Sequence, residues 1–233
     1  MPQSSFKNWL IRSLPGDVFA AIRGHLVCED LHPKQTVIRS QQPVSHVWFP
    51  ESGHISVLCK IHHSACIEVG MIGREGMTEF VTGHRSSLDY ICQVQGRASR
   101  IDIAVLEGLG ERYADLTDLL RRYCTYTIAH SAFACVAHGA FSIQARVARW
   151  LLMIDDRVGN GAIPVAHDFF AWILAVRRSG ITDALKALRE AGCIATSRGM
   201  VRIIDRKLLI EFAAGSYGPS EREYDRLLGQ RNH

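Results

Sequence analysis

Residues 165–205 constrain this chain more than any other stretch. They read VAHDFFAWILAVRRSGITDALKALREAGCIATSRGMVRIID. Phe169, Phe170, Ile173 and Leu174 recur at the spacing of a helix that buries one face. Pro164 suits that helix's entrance, where a missing N–H is harmless, and Ala171 is small enough to admit a close neighbour. A second helix is expected from about Arg177 to Ala191, with Ile181, Ala184, Leu185 and Leu188 as its buried stripe and Gly192 as its stop. From Ile194 to Ile204 the pattern is two short strands around Ser197-Arg198-Gly199, a Gly-containing hairpin turn. Helix, tight turn, helix and hairpin in that order make a winged helix-turn-helix, a shape that sets its second helix into a DNA major groove.

The outer face of the second helix carries Arg177, Arg178, Ser179, Thr182, Asp183, Lys186 and Arg189. Arg178 is the candidate for base readout, because a guanidinium can bond both acceptors on a guanine edge. Arg177, Ser179 and Thr182 lie beside it. Asp183 would repel phosphate or accept from a cytosine amino group. Lys186, Arg189, Arg198 and Arg202 are phosphate candidates. Charge placement agrees. Lys+Arg number 27 against 23 Asp+Glu, a net +4. Residues 1–141 carry 13 of each, so the whole excess lies beyond them, and residues 167–207 hold eight basic and four acidic side chains. A localised excess is what phosphate contact requires. It is modest, so affinity is expected to rely on two copies of the domain.

Upstream the pattern changes twice. Residues 6–27 look helical, interrupted at Pro15-Gly16. Residues 31–105 hold short β-prone runs at 36–38, 47–49, 55–58, 67–69, 90–94 and 97–103, spaced as in a small β-sandwich or barrel. From about Val105 to Gly139 the pattern is helical again, with Leu109, Leu116, Leu120, Tyr123, Thr127 and Ile128 in a stripe and small residues late in the run. Such a helix can pair two subunits or cover the β-domain, or do each with a different face. Ser142 is placed to cap a further helix over 143–158. The polar, charged residues 216–233 read as a flexible tail.

At 233 residues, with 47% hydrophobic and 21% charged content, the chain suits one large globular domain or two modest ones. No apolar run approaches the ~20 residues of a membrane span, and the N-terminus lacks a signal-peptide core. The expected location is cytoplasmic, with no membrane partner. Seven cysteines without a C-x-x-C pair argue against a disulfide framework or a zinc site. Most should be buried free thiols; a redox-sensing role for one stays open.

The order β-domain, long helix, winged helix-turn-helix resembles the cyclic-AMP receptor and fumarate–nitrate regulator (Crp/Fnr) family over roughly residues 15–215. The most specific pieces are QARVARWLL at 144–152, VRRSGIT at 176–182 and IGREG at 72–76. The resemblance implies an α+β transcription regulator. Its parts would be a jelly-roll, cyclic-nucleotide-binding-like domain over 1–105, a dimerisation helix over 106–138 and a DNA-binding domain over 142–215. It further implies a homodimer on a near-palindromic site in double-stranded DNA, with RNA polymerase as partner if the protein activates. Four residues depart from the family's pattern. Ser179 stands where Glu is usual, Asp183 where a second Arg is usual, Ala175 where the tight turn often has Gly, and Ala166 where Ser or Thr caps the first helix. The family's usual base sequence therefore does not transfer.

Family members that bind cyclic nucleotides hold the phosphate with a Gly-Glu turn and an Arg-Ser/Thr-Ala run. Gly73, Glu75, Gly76, Arg85 and Ser86 are the matching effector candidates, but the Gly-Glu pair is interrupted by Arg74 and the closing Ala is Ser87. A cyclic nucleotide is thus an open effector and not the favoured one; Gly73 and Gly76 can equally make a simple turn. No cofactor is assigned. An iron–sulfur cluster needs clustered N-terminal cysteines, and Cys28 alone precedes the β-region. His46, His54, His62 and His63 fit haem by residue type only. The rival reading is a cupin-like metal enzyme using His54, His62, His63 and Glu68. Adjacent His62 and His63 would point to opposite faces of one strand, which a cupin site does not tolerate. A third reading is an effector-binding module that acts through protein contacts. The chain is expected not to be an enzyme.

Overall fold

The computed structural model describes residues 2–62, 65–80, 85–159 and 161–229. His63, weighed above as a ligand, lies outside them. After a 3₁₀ turn at Gln3–Ser5 come α1 (Trp9–Ser13) and α2 (Gly16–Ile22), broken at Pro15 as the sequence indicates. Asn8 fixes this start: its Oδ1 accepts from the Leu10 and Ile11 N–H groups, and its Nδ2 donates to Pro50 O and Gly76 O.

Seven strands follow: β1 (Val27–Leu31), β2 (Thr36–Ile38), β3 (His46–Pro50), β4 (His54–His62), β5 (Ala65–Ile72), β6 (Asp89–Val94) and β7 (Gly96–Asp102). They form two antiparallel sheets, β1-β7-β3 and β2-β6-β4-β5. The sheets bury Val47, Phe49, Ile55, Val57, Tyr90, Cys92 and Ile101 with α1 and α2 in one apolar core. Burying the apolar faces of both sheets together is what holds such a two-layer roll.

Two helices then cross the domain, α3 (Ile103–Arg112) and α4 (Ala114–Ala140). The single long helix expected over 106–138 is therefore interrupted at Tyr113, whose extended backbone (φ −124°) ends α3 and starts α4. Leu116, Leu120, Tyr123 and Tyr126 of α4 sit in the β-domain core, so one face of the expected stripe covers that domain.

The C-terminal part comprises α5 (Ile143–Val158), β8 (Ile163–Pro164), α6 (His167–Ile173), α7 (Arg178–Glu190), β9 (Ile194–Ser197), β10 (Met200–Ile203), α8 (Arg206–Phe212) and α9 (Pro219–Leu228). Ser142 caps α5 by accepting from Ala145 N–H. Val147, Leu151, Phe170, Ile173, Ile181, Leu185, Leu188 and Val201 form a second core. Pro164 is not at a helix entrance: it lies in β8, paired with Met200, and α6 begins after Ala166. The flexible tail is also corrected. Residues 219–228 form α9, which packs on α4 with Tyr224 buried and its hydroxyl donating to Glu75 O. Among the described residues all seven cysteines are free thiols, and no group of three or more His, Cys, Asp or Glu is placed to hold a metal ion.

Candidate nucleic-acid interface

α6, the turn at 174–177 and α7 stand on the second core with their polar faces outward. Ala166 gives α6 no side-chain cap, and Asp168 supplies the negative charge in its first turn. Ala175 holds φ 49°, the left-handed conformation that favours Gly. For a residue with a Cβ this costs roughly 1–2 kcal/mol. The turn is braced from α5, where an Arg146 Nη2 donates to Leu174 O and lies 2.8 Å from His138 Nδ1 of α4. Gly180 lets α7 approach α5; a Cβ there would come within 2.9 Å of Ile143 Cδ1.

Arg177, Arg178, Ser179, Thr182, Asp183, Lys186 and Arg189 are all exposed on α7 or at its N-cap. The structure thus brings the seven helix candidates together on one open face. Arg178 pairs with Asp168 at 3.3 Å, but the two side chains are 66% and 78% exposed, so water screens the pair and DNA can displace it. Thr182 Oγ1 bonds Arg178 O at 3.2 Å and lies 3.3 Å from His167 Nδ1. Lys186 reaches Glu190 only at 3.9 Å. The wing is a tight hairpin. Ser197 faces Met200, and the two residues between them, Arg198 (φ 43°) and Gly199 (φ 77°), have the double positive φ of a two-residue turn. Arg198 is exposed at its tip and Arg202 on β10.

The interface is tied to the β-domain through α5. Trp150 stacks edge-on against His54 of β4 and Phe170 of α6, at 6.1 and 4.1 Å between ring centroids. Its indole N–H donates to Glu68 Oε2 of β5 at 2.7 Å. Burial, opposed by the hydrogen bond from Trp150, pushes the Glu68 carboxyl up to about 7. Arg157, near the C-terminus of α5, is buried and pairs with Glu75 at 2.8 Å. On the other side Arg206 of α8 grips Asp155 at 2.7 Å and also Asp156, to which the Tyr217 hydroxyl donates at 2.7 Å.

Of the effector candidates, Gly73, Glu75 and Gly76 share one turn, while Arg85 and Ser86 have partners of their own. Glu75 is buried, accepts from Gly73 N–H and holds Arg157. Gly73 and Gly76 are packed too tightly for a side chain, since a Cβ would come within 2.7 Å of Arg157 and 2.0 Å of Tyr123. Arg85 donates to Gln41 O at the surface, and the Ser86 hydroxyl is used by Leu88. Residues 73–76 therefore anchor α5 and α4. Sequence reasoning missed His130, buried on α4; its signal was an ionisable residue in the helix's apolar stripe.

Residues 145–212 match the family model of the Crp-like helix-turn-helix domain. The chain carries a Crp-like helix-turn-helix domain. No curated protein matches the chain in sequence. Solved structures do match its fold. FixK2 from Bradyrhizobium japonicum superposes with a TM-score of 0.70 over 80% of this chain and 96% of its own, at 14% identity. The c-di-GMP-responsive global regulator CLP of Xanthomonas campestris gives 0.65 over 81% and 99%, at 13% identity. TTHA1359, a CRP/FNR-family transcriptional regulator of Thermus thermophilus, gives 0.65 over 82% and 100%, at 13% identity. The Crp-like helix-turn-helix domain thus stands at the C-terminal end of a chain that shares its fold with these structures.

Proposed function

We propose that the protein acts as a cytoplasmic homodimer that reads a near-palindromic duplex site and controls transcription, without catalysing a reaction. The observation that carries this reading is the open face of α7, with Arg178 at its N-terminal end and Arg198 at the adjoining wing tip. Arg178 reads a base edge, with Arg177, Ser179, Thr182 and Asp183 beside it, while Lys186, Arg189, Arg198 and Arg202 meet phosphates. An effector in the β-domain modulates the dimer, and an activating form contacts RNA polymerase.

The test is selection from a random duplex library with the purified, full-length protein. A two-fold symmetric site with half-sites about one helical turn apart is the expected result. If no sequence is enriched with or without cell extract, or if binding is weak and indifferent to salt, the DNA-reading proposal fails and protein contacts take its place.

A further inference from the structure

A cavity of about 490 Å³ opens between the four-stranded sheet and α4. Most of its wall is apolar, from Val57, Met71, Met77, Phe80, Leu88 and Ile128. Among the described residues its lining includes no Lys or Arg, and Glu79 is its one carboxylate. The nearby cations are engaged: Arg157 with Glu75, Arg85 with Gln41 O. A phosphodiester buried here would lose its water and gain no positive partner from the described lining, which is strongly unfavourable.

Two polar atoms of the wall are buried without a hydrogen-bond partner, His130 Nε2 and Glu79 Oε2. The other ring nitrogen of His130 faces α9, 2.5 Å from Ser220 Oγ and 3.2 Å from the Tyr126 hydroxyl. The ring's Cδ2 edge lies beside Gly70, another lining residue, where a Cβ would stand 3.6 Å from it. Nε2 therefore points to the cavity side. Burial above all, with Arg157 and Arg149 nearby, pushes His130 well below its usual range and keeps it neutral. A neutral imidazole in an apolar wall orients one uncharged polar group and leaves the rest of the ligand to apolar contact.

We infer that this cavity binds a small, uncharged, largely apolar molecule carrying a hydroxyl or amide head group that bonds His130 Nε2. Glu79 Oε2 accepts a second donor where the ligand has one. Occupancy fixes the tautomer of His130. A donor head group requires a bare Nε2, and the proton then sits on Nδ1 and donates to Ser220 Oγ of α9. The ligand class deepens the effector part of the proposed function and rests on it alone. Binding is read without DNA, so failure here and failure of the DNA-reading proposal are distinguishable.

The test titrates the full-length protein with N-phenyl-1-naphthylamine, a neutral fluorescent probe with one N–H donor. Its sulfonated analogue, 1-anilinonaphthalene-8-sulfonate, shares the body and adds a negative charge. Saturable binding of one neutral probe per chain is expected, with the sulfonate at least roughly tenfold weaker and cyclic AMP unable to displace the probe. His130→Phe, checked for an intact fold by circular dichroism, should weaken the probe by roughly tenfold, the worth of one hydrogen bond. Ser220→Ala removes one acceptor of the Nδ1 proton but leaves Nε2 in place and the Tyr126 hydroxyl beside Nδ1, so it should weaken the probe clearly less than His130→Phe does. Gly70→Ala adds a methyl at ordinary contact distance from Val57 and His130, and should weaken the probe without unfolding the chain. Absence of saturable binding, displacement by cyclic AMP, or equal losses in His130→Phe and Ser220→Ala would overturn the inference.

Discussion

Arg178 and Arg198 are both exposed arginines, yet their placement predicts different losses. Arg178 heads α7, the position from which a side chain reaches a base edge; Arg198 sits on a hairpin tip beside it. Arg178→Ala should cost about 1–3 kcal/mol on the selected site and relax preference at one base pair. Arg198→Ala should weaken all sequences alike and lower the salt slope by about 1. Fluorescence anisotropy on the selected duplex and its single-base variants, at several salt concentrations, separates the two; a loss confined to one sequence in Arg198→Ala would reverse the assignment. Glu68 makes a prediction of another kind. Its buried carboxyl titrates near 7, above the ordinary carboxylate range. Between those limits the folded state binds more protons than the unfolded one, so this group makes stability fall as pH rises toward and through 7. Glu68→Gln keeps an acceptor for the Trp150 indole N–H and cannot ionise. It should melt like the parent at pH 5 and be more stable above pH 8, by roughly 1–3 kcal/mol. His54 works in the opposite sense: burial, with Arg157 adding to it, pushes it down to about 3, so the stability it confers is lost as pH falls from about 6.5. Urea unfolding of the parent and Glu68→Gln across pH isolates the carboxylate, because His54 is common to both. A pH-independent difference would show that Glu68 is not ionising there.

At the scale of elements, the legible parts were those whose burial is periodic. α5 and α7 fall within a residue of their expected spans because Val147, Leu151 and Ile154, then Ile181, Leu185 and Leu188, mark one helical face each. The wing was legible because two strands flank a turn whose Gly needs positive φ. β1 was not: of Val27, Cys28, Glu29, Asp30 and Leu31 only Leu31 is buried, and the strand exists because the β7 ladder supplies its hydrogen bonds. The effector candidates were read from a local motif, whereas the cavity is assembled from β4, β5, β6 and α4, which no short window contains. α9 was hidden for a related reason. Its sequence is mostly polar, and beside the packing of Tyr224, Leu227 and Leu228 on the first core its hold on the body includes three long-range hydrogen-bond contacts. These are Tyr224 to Glu75 O at 2.8 Å, Ser220 to His130 at 2.5 Å and Leu227 O to Arg122 at 3.0 Å. Tyr224 also stacks edge-on against Tyr126, with ring centroids 5.1 Å apart. Tyr224→Ala should therefore cost on the order of 3–5 kcal/mol, as for other large buried aromatics. Tyr224→Phe should cost about 1 kcal/mol, the hydrogen bond alone. Chemical unfolding measures both. If Tyr224→Ala unfolds with the parent's midpoint, residues 219–228 behave in solution as the flexible tail that the sequence suggested.

The whole molecule is two cores joined by α5, with α4 running along the first and leaving one side of itself uncovered. On that side Thr125, Ile128, Ala132, Cys135 and Gly139 are exposed or partly so, at alternating spacings of three and four residues. That is the a/d spacing of a two-helix seam, and its small residues permit close approach. Ile128 is 73% exposed and Val136 56%, large apolar surface for a monomer to leave in water. A second copy of α4 across a two-fold axis would cover this stripe and carry two α7 helices, as a palindromic site demands. Ile128→Asp would bury two like charges near that axis. It should shift the protein to monomer in analytical ultracentrifugation and abolish binding to the full site. The same axis makes a sharper demand on Cys135, because a residue on a parallel seam faces its own copy. Mild oxidation should give a covalent dimer in the parent and in Cys28→Ser, the other exposed thiol, but not in Cys135→Ser. A cross-link that persists in Cys135→Ser, or an Ile128→Asp protein that stays dimeric, would place the subunit contact elsewhere. The two recognition helices would then lose the spacing that α4 gives them, and the symmetric half-sites would not follow.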